Sequence, residues 1–269
     1  MGNAMRSLDD ALAAANSYGM CRRAFFTQKA SASTAANVTS GYVTLGRHTP
    51  SFTVPTLTTA TGYYMVGGSI SHSQTVADVS YMLCLEVLLG TLTVSGNSYV
   101  DGSAMPTSRE DPGDRTATLS TASMFCLAVV STIMTATTPV LTVNYTNQSG
   151  TTGRSGTMTL PTNCNPDSAF MFNPHMQSGD TGVRDLSASG PNGMSISTGT
   201  AGSIKMYGCI PLLYSAGPLT IAGVNASLNA LSAHLPQFRL VGGDVLSVYD
   251  VGQASNNAAF TTVQMLPDN

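Results

Sequence analysis

The sequence predicts an all-β protein: an antiparallel β-sandwich or jelly-roll-like domain with a short helical and extended N-terminal arm. Short apolar or alternating stretches recur from about residue 42 onward. Turn signals such as SGN, DPG, SGPNG and VGG separate these stretches. Many short strands with little helix between them are typical of antiparallel sandwiches and jelly rolls.

Residues 1–41 are predicted to form a helix followed by an extended arm. Ser7 can cap the helix, two aspartates suit its first turn, and Leu8 and Leu12 lie four residues apart on one face. The small polar stretch 31–41 reads as a linker or arm. A short helix with one apolar stripe does not fold alone, so Leu8 and Leu12 are expected to pack on this domain or on a neighbouring subunit.

Residues 42–215 are predicted to form the β domain. The expected strands are SFTVPTL (51–57), YYMVGGSI (63–70), YMLCLEVLL (81–89), FCLAVVSTI (125–133), VLTVNYT (140–146), TMTL (157–160) and SIKMYGCI (203–210). In VLTVNYT the alternation places Leu141, Val143 and Tyr145 on one face. The stretches 81–89 and 125–133 are apolar at successive positions, which predicts strands buried on both faces.

Residues 216–269 are predicted to be a C-terminal extension packed on the β domain. Two more strands are expected there, LTIAGV (219–224) and VLSVYDV (245–251). Between them, NASLNALSAHL (225–235) places three leucines on one side of a predicted helix.

The composition indicates a protein that works in contact with partners. Only 9% of the residues are charged, against about 25% in an ordinary soluble domain. The exterior must therefore consist mostly of Ser, Thr, Asn, Gly and Gln, with part of it covered by other molecules. A net charge of −3 argues against a nucleic-acid partner. The longest apolar runs are about half a membrane span, and no secretory signal is recognisable, so no membrane partner is expected.

No catalytic, cofactor-binding or metal-binding residue is predicted. The four histidines are far apart, the five cysteines have no metal-ligand spacing, and neither a nucleophile elbow nor a P-loop occurs. The charged segment REDPGDR (109–115) could offer carboxylates to calcium, but it reads more simply as a solvated turn. We therefore expect a protein without enzymatic activity and without a cofactor.

Two glycine-rich turns each lead to an arginine. SGTTGRSG (149–156) contains Arg154, and SGDTGVR (178–184) ends at Arg184. The first turn joins two predicted strands as a hairpin, so Arg154 is expected to be structural. It can lie over the sheet, or it can fork onto backbone carbonyls or onto a carboxylate such as Asp180 or Asp185, within the subunit or across an interface. Arg154, Asp180, Arg184 and Asp185 are thus the candidate structural or subunit-contact residues.

The same turns carry a resemblance to virion proteins of tailed bacteriophages. Their pattern is Tyr-Thr-Asn-Gln at a strand end, a glycine-rich turn, Gly-Arg, a strand ending in Leu-Pro, and then Gln-x-Gly-Asp-x-Gly-Val-Arg. It is matched here at 145–148, 153–154, 160–161 and 177–184. The chain departs from the pattern after Arg184, where Asp-Leu replaces the usual Ser-Val.

This resemblance implies an oligomeric β-sandwich component of a virion. We expect a capsid-associated cement or decoration protein on the capsid surface, assembled in the host cytoplasm. Its partners would be copies of itself, as a homotrimer, and the major capsid protein. A tail, adaptor or baseplate component is the alternative within the same class, and a glycan-binding adhesion module is the alternative from another class.

Overall fold

The computed structural model describes residues 24–30, 44–47, 51–54, 56, 62–72, 80–107, 124–135, 138–161, 164–186, 193–214, 225–229, 239–251 and 259–268. Across these ranges the regular structure is antiparallel β, with one 3-10 turn at Asn173–His175. The predicted all-β class is therefore confirmed. The predicted N-terminal helix with Leu8 and Leu12, the stretch 31–41, the charged segment 109–115 and the strand 219–224 lie outside the described residues.

The described residues contain seventeen strands, numbered in chain order, which form three sheets. The first sheet contains β1 (Ala24–Ala30), β4 (Gly62–His72), β14 (Asn225–Asn229), β15 (Arg239–Leu240) and β17 (Ala259–Asp268). The second contains β2 (Thr44–Arg47), β3 (Phe52–Thr53), β5 (Ser80–Thr93), β6 (Ser98–Asp101), β7 (Phe125–Thr135), β10 (Ser168–Met171), β13 (Ala201–Tyr214) and β16 (Val245–Val251). The third contains β8 (Val140–Asn147), β9 (Arg154–Thr159), β11 (Val183–Leu186) and β12 (Met194–Ile196).

Six strands of the second sheet close into a ring. Strand β16 pairs with β5 and also with β2. From β2 the pairing continues through β10, β7 and β13 back to β5. The residues facing into this ring form a small buried cluster. The opposite side of the same strands joins a larger core that includes buried residues of the other two sheets.

Strands β5 and β7 are buried on both faces, as the sequence predicts. In β5, Cys84 faces into the ring while Leu83 and Leu85 face the larger core. In β7, Leu127 faces inward and Ala128 outward, and both are fully buried. The continuous apolar runs are therefore required because each strand separates two cores.

Strand β8 alternates as predicted. Leu141, Val143 and Tyr145 are buried in the larger core, whereas Thr142 and Asn144 between them are only partly buried. The hairpin expected between β8 and β9 is present, with Tyr145 opposite Arg154.

Two sequence predictions are wrong. In the helix predicted over 225–235, the described residues Asn225–Asn229 instead form strand β14, which pairs with β4 from Asn225 opposite Ser71. Residues 230–235 lie outside the described residues. Pairing with a long neighbouring strand here outweighs local helix propensity. The strand predicted over 51–57 is reduced to Phe52–Thr53, because Val54 bonds to the turn at 241–244 and Pro55 lacks an amide N–H.

The strands near the C-terminus are integral parts of the sheets. β16 completes the ring, and β17 lies between β1 and β4 in the first sheet. Within the described part of the chain, no helix has the length and apolar character needed to cross a membrane.

Candidate functional site

Four of the residues that carry the virion-protein resemblance meet at one place. Tyr145 and Asn147 lie at the end of β8, and Arg154 opens β9. The loop 177–182, which leads into β11, brings Asp180 against all three. We call these four residues the Asp180 cluster. The hairpin and the loop are therefore held together by side chains that are well separated in the sequence.

Asp180 uses both carboxylate oxygens in this cluster. Arg154 donates from Nε to Oδ2 at 2.9 Å and from Nη2 to Oδ1 at 3.2 Å. The Tyr145 hydroxyl donates to Oδ2 at 2.7 Å, and Asn147 Nδ2 donates to Oδ1 at 2.8 Å. The Asp180 side chain is only 2% exposed, whereas that of Arg154 is 27% exposed. The ion pair is thus covered on the carboxylate side and open to solvent on the guanidinium side.

These contacts favour the charged forms of both partners. The hydrogen bond from Arg154 lowers the pKa of Asp180, and those from Asn147 and Tyr145 add to this effect against the opposing effect of burial. The hydrogen bond to Asp180 raises the pKa of Arg154. Burial raises the pKa of Tyr145 to about 12, with a further contribution from Asp180, so its hydroxyl stays protonated as a donor.

Two amide side chains satisfy the backbone of the turns. Asn147 Oδ1 accepts from the N–H groups of Ser149 and Thr151 at 3.1 and 2.9 Å. Gln148 Oε1 accepts from those of Thr181 and Gly182 at 3.1 and 3.4 Å. The second pair of bonds joins the hairpin directly to the loop 177–182.

Glycines provide the backbone conformations that these turns need. Gly150 and Gly153 have φ values of 83° and 72°, and Gly179 in the facing loop has 88°. Such values belong to the left-handed region, which side chains with a Cβ adopt at a cost. The glycine-rich composition of both turns therefore follows from their geometry.

The arrangement is a clamp between two turns and does not resemble a phosphate cradle. A phosphate site needs backbone N–H groups and a cation that point to an unfilled space. Here the side chains of Asn147 and Gln148 already accept hydrogen bonds from N–H groups of the turns, and Arg154 is already paired with Asp180. The hydrogen bonds of the Asp180 cluster therefore fix the shape of the surface that the two turns form.

The other candidate residues lie outside the cluster. Arg184 is exposed and reaches Thr107 Oγ1 from Nη2 at 3.4 Å. Asp185 is partly buried in β11; burial raises its pKa, and the charge of Asp101 raises it further. Arg154 therefore pairs with Asp180 and not with Asp185. Whether any of these residues contacts another subunit stays a prediction.

A second polar cluster, inside the ring, was not predicted from the sequence. The Glu86 carboxylate accepts from Arg47 Nε at 2.8 Å, from Arg47 Nη2 at 2.7 Å and from the Ser247 hydroxyl at 2.8 Å. It also accepts from the Tyr249 hydroxyl. We call these four residues the Glu86 cluster. The available signal was a single glutamate within the apolar run YMLCLEVLL, which indicates a buried charge that needs a partner.

Burial governs the chemistry of this interior. Burial alone would lower the pKa of Arg47, but the hydrogen bonds and charge of Glu86 outweigh it and the pKa is raised. The pKa of Cys84 is raised by burial, by its hydrogen bond with Cys209 and by nearby charge. A buried thiol of this kind stays protonated and is a poor nucleophile or metal ligand. Across the described ranges, no group of three or more His, Cys, Asp or Glu side chains is placed to hold a metal ion.

Comparison with known proteins leaves the function to be argued from these contacts. No protein-family model matches the sequence, and no curated protein matches it. Comparison with solved structures gives only remote matches to two virus particles. A T=1 particle derived from infectious bursal virus shows 9% identity over 92% of this chain and 79% of its own, with a TM-score of 0.19. The T13 IBDV particle shows 10% identity over 92% and 78%, with a TM-score of 0.18. Scores of this size carry no argument.

Proposed function

We propose that this chain is a structural component of a tailed-bacteriophage particle, and specifically a capsid-associated cement or decoration protein. The observation that supports this most is the Asp180 cluster. Four of the residues that match the phage virion pattern meet in one set of hydrogen bonds, so this part of the pattern has a structural role in the chain. A turn surface held in one shape by these hydrogen bonds suits permanent packing against other subunits.

The scarcity of charge supports the same proposal. With 9% charged residues, the described strands expose mainly hydroxyl groups, as at Thr157 and Thr159 of β9. A surface of this kind loses little charge hydration when it is covered. It is therefore suited to a static assembly in which one subunit binds across adjacent major capsid subunits.

The test is the number of copies in purified particles of the phage that encodes the chain. Quantitative mass spectrometry should find hundreds of copies per particle, which corresponds to a place on the head. Six to a few dozen copies would instead support the tail, adaptor or baseplate alternative. Absence of the chain from washed particles would contradict a structural role of either kind.

The N-terminal segment is proposed as the anchor on the shell. Strand β1 pairs along its length with β17, so a clean deletion should stop before Ala24. Removing residues 1–23 is expected to abolish binding to undecorated heads while the thermal unfolding of the β domain is retained. Normal decoration by the truncated chain would contradict the anchor.

A further inference from the structure

Strand β9 forms the outer edge of the third sheet. Its neighbour β8 pairs with β9 on one side and with β11 and β12 on the other. Just after β9, the Leu160 N–H donates to the Pro139 carbonyl at 2.8 Å, so the even-numbered residues of this strand bond to β8. Because the bonding direction alternates along a strand, Ser155, Thr157 and Thr159 direct their N–H and C=O groups away from β8. We call these three residues the β9 edge.

The β9 edge is open to another strand. Within the described part of the chain, its outward backbone groups have no hydrogen-bond partner. Thr157 and Thr159 are exposed, and Ser155 is partly buried. Proteins commonly protect such an edge with a lysine, a proline or a β-bulge. β9 contains neither residue type, and its pairing with β8 is regular along its length, so nothing in the strand itself prevents further pairing.

The outward groups of the other outer strands in this sheet are engaged within the chain. In β11, the Arg184 carbonyl accepts from the Met105 N–H at 2.9 Å. In β12, the Ile196 N–H donates to Asn97 Oδ1 at 3.0 Å. The fold therefore satisfies these two edges internally and leaves the β9 edge available to a partner strand.

The side chains of the β9 edge favour a partner strand without charge. They are three hydroxyl groups, and the charge on β9 belongs to Arg154, which is already paired with Asp180. A charged partner strand would lose hydration here without gaining an opposite charge. Hydroxyl side chains that face each other across antiparallel strands stabilise the pair. The β9 strand of a second copy has the required uncharged, hydroxyl-bearing edge.

A second copy also matches the β9 edge in register. When two β9 strands run antiparallel about a twofold axis at Thr157, this residue lies opposite its own counterpart, and Ser155 of each copy lies opposite Thr159 of the other. The outward groups of both strands then pair completely, in about six N–H···O bonds. An axis at Gly156 or Met158 would leave one outward residue of each strand without a counterpart in β9. One register is therefore favoured.

We propose that the β9 edge binds the β9 edge of a second copy of this chain, so that the two third sheets become one continuous sheet across a twofold axis. The two Arg154–Asp180 pairs then lie at opposite ends of the contact and do not repel each other. The contact joins copies in pairs, so it is different from the threefold contact of the expected trimer. It goes beyond the proposed virion role, because it depends only on the geometry of the sheet.

The test is cysteine cross-linking of the full-length chain carrying Cys21→Ser; the described cysteines are buried. Thr157→Cys places two thiols opposite each other at a Cα separation of about 5.5 Å, which a disulfide can span. Oxidation with diamide should convert most of this variant to a covalent dimer. In the matched control Thr159→Cys, the two equivalent positions are about 13 Å apart. This control should not cross-link alone but should cross-link to Ser155→Cys when the two variants are mixed.

A proline at the centre of the edge tests the backbone hydrogen bonds. Thr157→Pro removes an outward N–H, at the kind of edge position where strands accept proline. It should weaken self-association in sedimentation equilibrium about tenfold or more, because the twofold axis doubles the loss. Thr157→Ser keeps the N–H and should associate within about threefold of the wild type. Thermal unfolding shows whether the proline variant keeps its fold, and the cysteine variants decide the question if it does not.

Three results would overturn the proposed contact. The first is a wild-type chain whose dimer dissociation constant exceeds about 1 mM. The second is cross-linking of Thr159→Cys alone as readily as of Thr157→Cys. The third is a monomeric chain in which Thr157→Pro abolishes binding to phage particles, since another protein's strand would then occupy the edge. Twofold pairs of a chain that is absent from phage particles would instead contradict the virion role alone.

Discussion

Tyr145 places a hydroxyl group at the end of an otherwise apolar row on β8, and that hydroxyl works in two directions. It donates to Asp180 and accepts from the backbone N–H of Gln177 at 2.9 Å. Its ring meets Phe172 edge-on with centroids 6.0 Å apart. One residue therefore connects the apolar core to the polar clamp above it.

We predict that Tyr145→Phe keeps the ring packing and removes both hydrogen bonds. The free energy of unfolding should fall by about 1–3 kcal/mol, since the Gln177 N–H loses its acceptor and the Asp180 carboxylate loses one of its donors. Urea denaturation measures the change. Combined with Asp180→Asn, the loss should be smaller than the sum of the two single losses, because both act on one network. Strict additivity would contradict the shared cluster.

The ion pair at Asp180 predicts a pH dependence with a definite sign. Because the folded-state pKa of Asp180 is lowered, its contribution is present above the unfolded value of about 4 and is lost as the pH falls through the folded value. The stability difference between wild type and Asp180→Asn should be constant from about pH 7 to 5 and should shrink below about pH 4. Chemical denaturation across this range measures it. A difference that grows on acidification would contradict the assignment.

Among the strands, the length of the apolar or alternating pattern decided which ones could be predicted from the sequence. β16 was predicted with its observed ends, Val245–Val251, and β5 and β7 were predicted within a few residues because their apolar runs are long. Short strands such as β2 and β10 were missed, because four residues carry too little periodicity to stand out. Their structure comes from neighbours far along the chain, to which they hydrogen-bond on both edges.

The two polar clusters also show how far local sequence patterns can predict contacts. Asp180 could be named among the possible partners of Arg154, because it belongs to the second of two recognisable turns. Arg47 and Glu86 are 39 residues apart and Ser247 is a further 161 away, so no local pattern joins them. Only the closure of the ring brings them together. Such contacts follow from topology and not from spacing.

The close contact at Gly156 predicts that β9 does not accept a side chain at this position. A Cβ at this position would overlap the backbone carbonyl of His175, which lies against the strand. Gly156→Ala should therefore lower the free energy of unfolding by about 1–3 kcal/mol, as overpacking does elsewhere. Thr157→Ala on the exposed side of the same strand is the matched control and should change it by less than about 0.5 kcal/mol. Equal effects of the two changes in thermal unfolding would contradict the close approach.

At the scale of the whole molecule, the Glu86 cluster joins the strand that closes the ring to the strands on either side. Ser247 and Tyr249 come from β16, Glu86 from β5 and Arg47 from β2. The cluster therefore lies across the seam of the ring. Its side chains are almost fully covered, with Glu86 1% and Arg47 12% exposed.

We predict that Glu86→Ala lowers the free energy of unfolding by about 3–5 kcal/mol, because it leaves the Arg47 guanidinium buried without a counter-charge. Replacing both residues, as in Arg47→Met with Glu86→Leu, should recover most of this loss, since no unpaired charge then remains. Guanidinium denaturation compares the variants. If the double variant is less stable than Glu86→Ala alone, the penalty does not come from the unpaired arginine.

The late closure of the ring by β16 has a consequence for folding during translation. While a ribosome is still translating the middle of the message, β5 and β7 have already emerged with apolar side chains on both faces. The strand that seals them is made more than 100 residues later, as the separation of Glu86 from Ser247 shows. Nascent chains therefore expose apolar surface while the ring is still incomplete. A host chaperone that shields this surface should raise the yield of soluble protein.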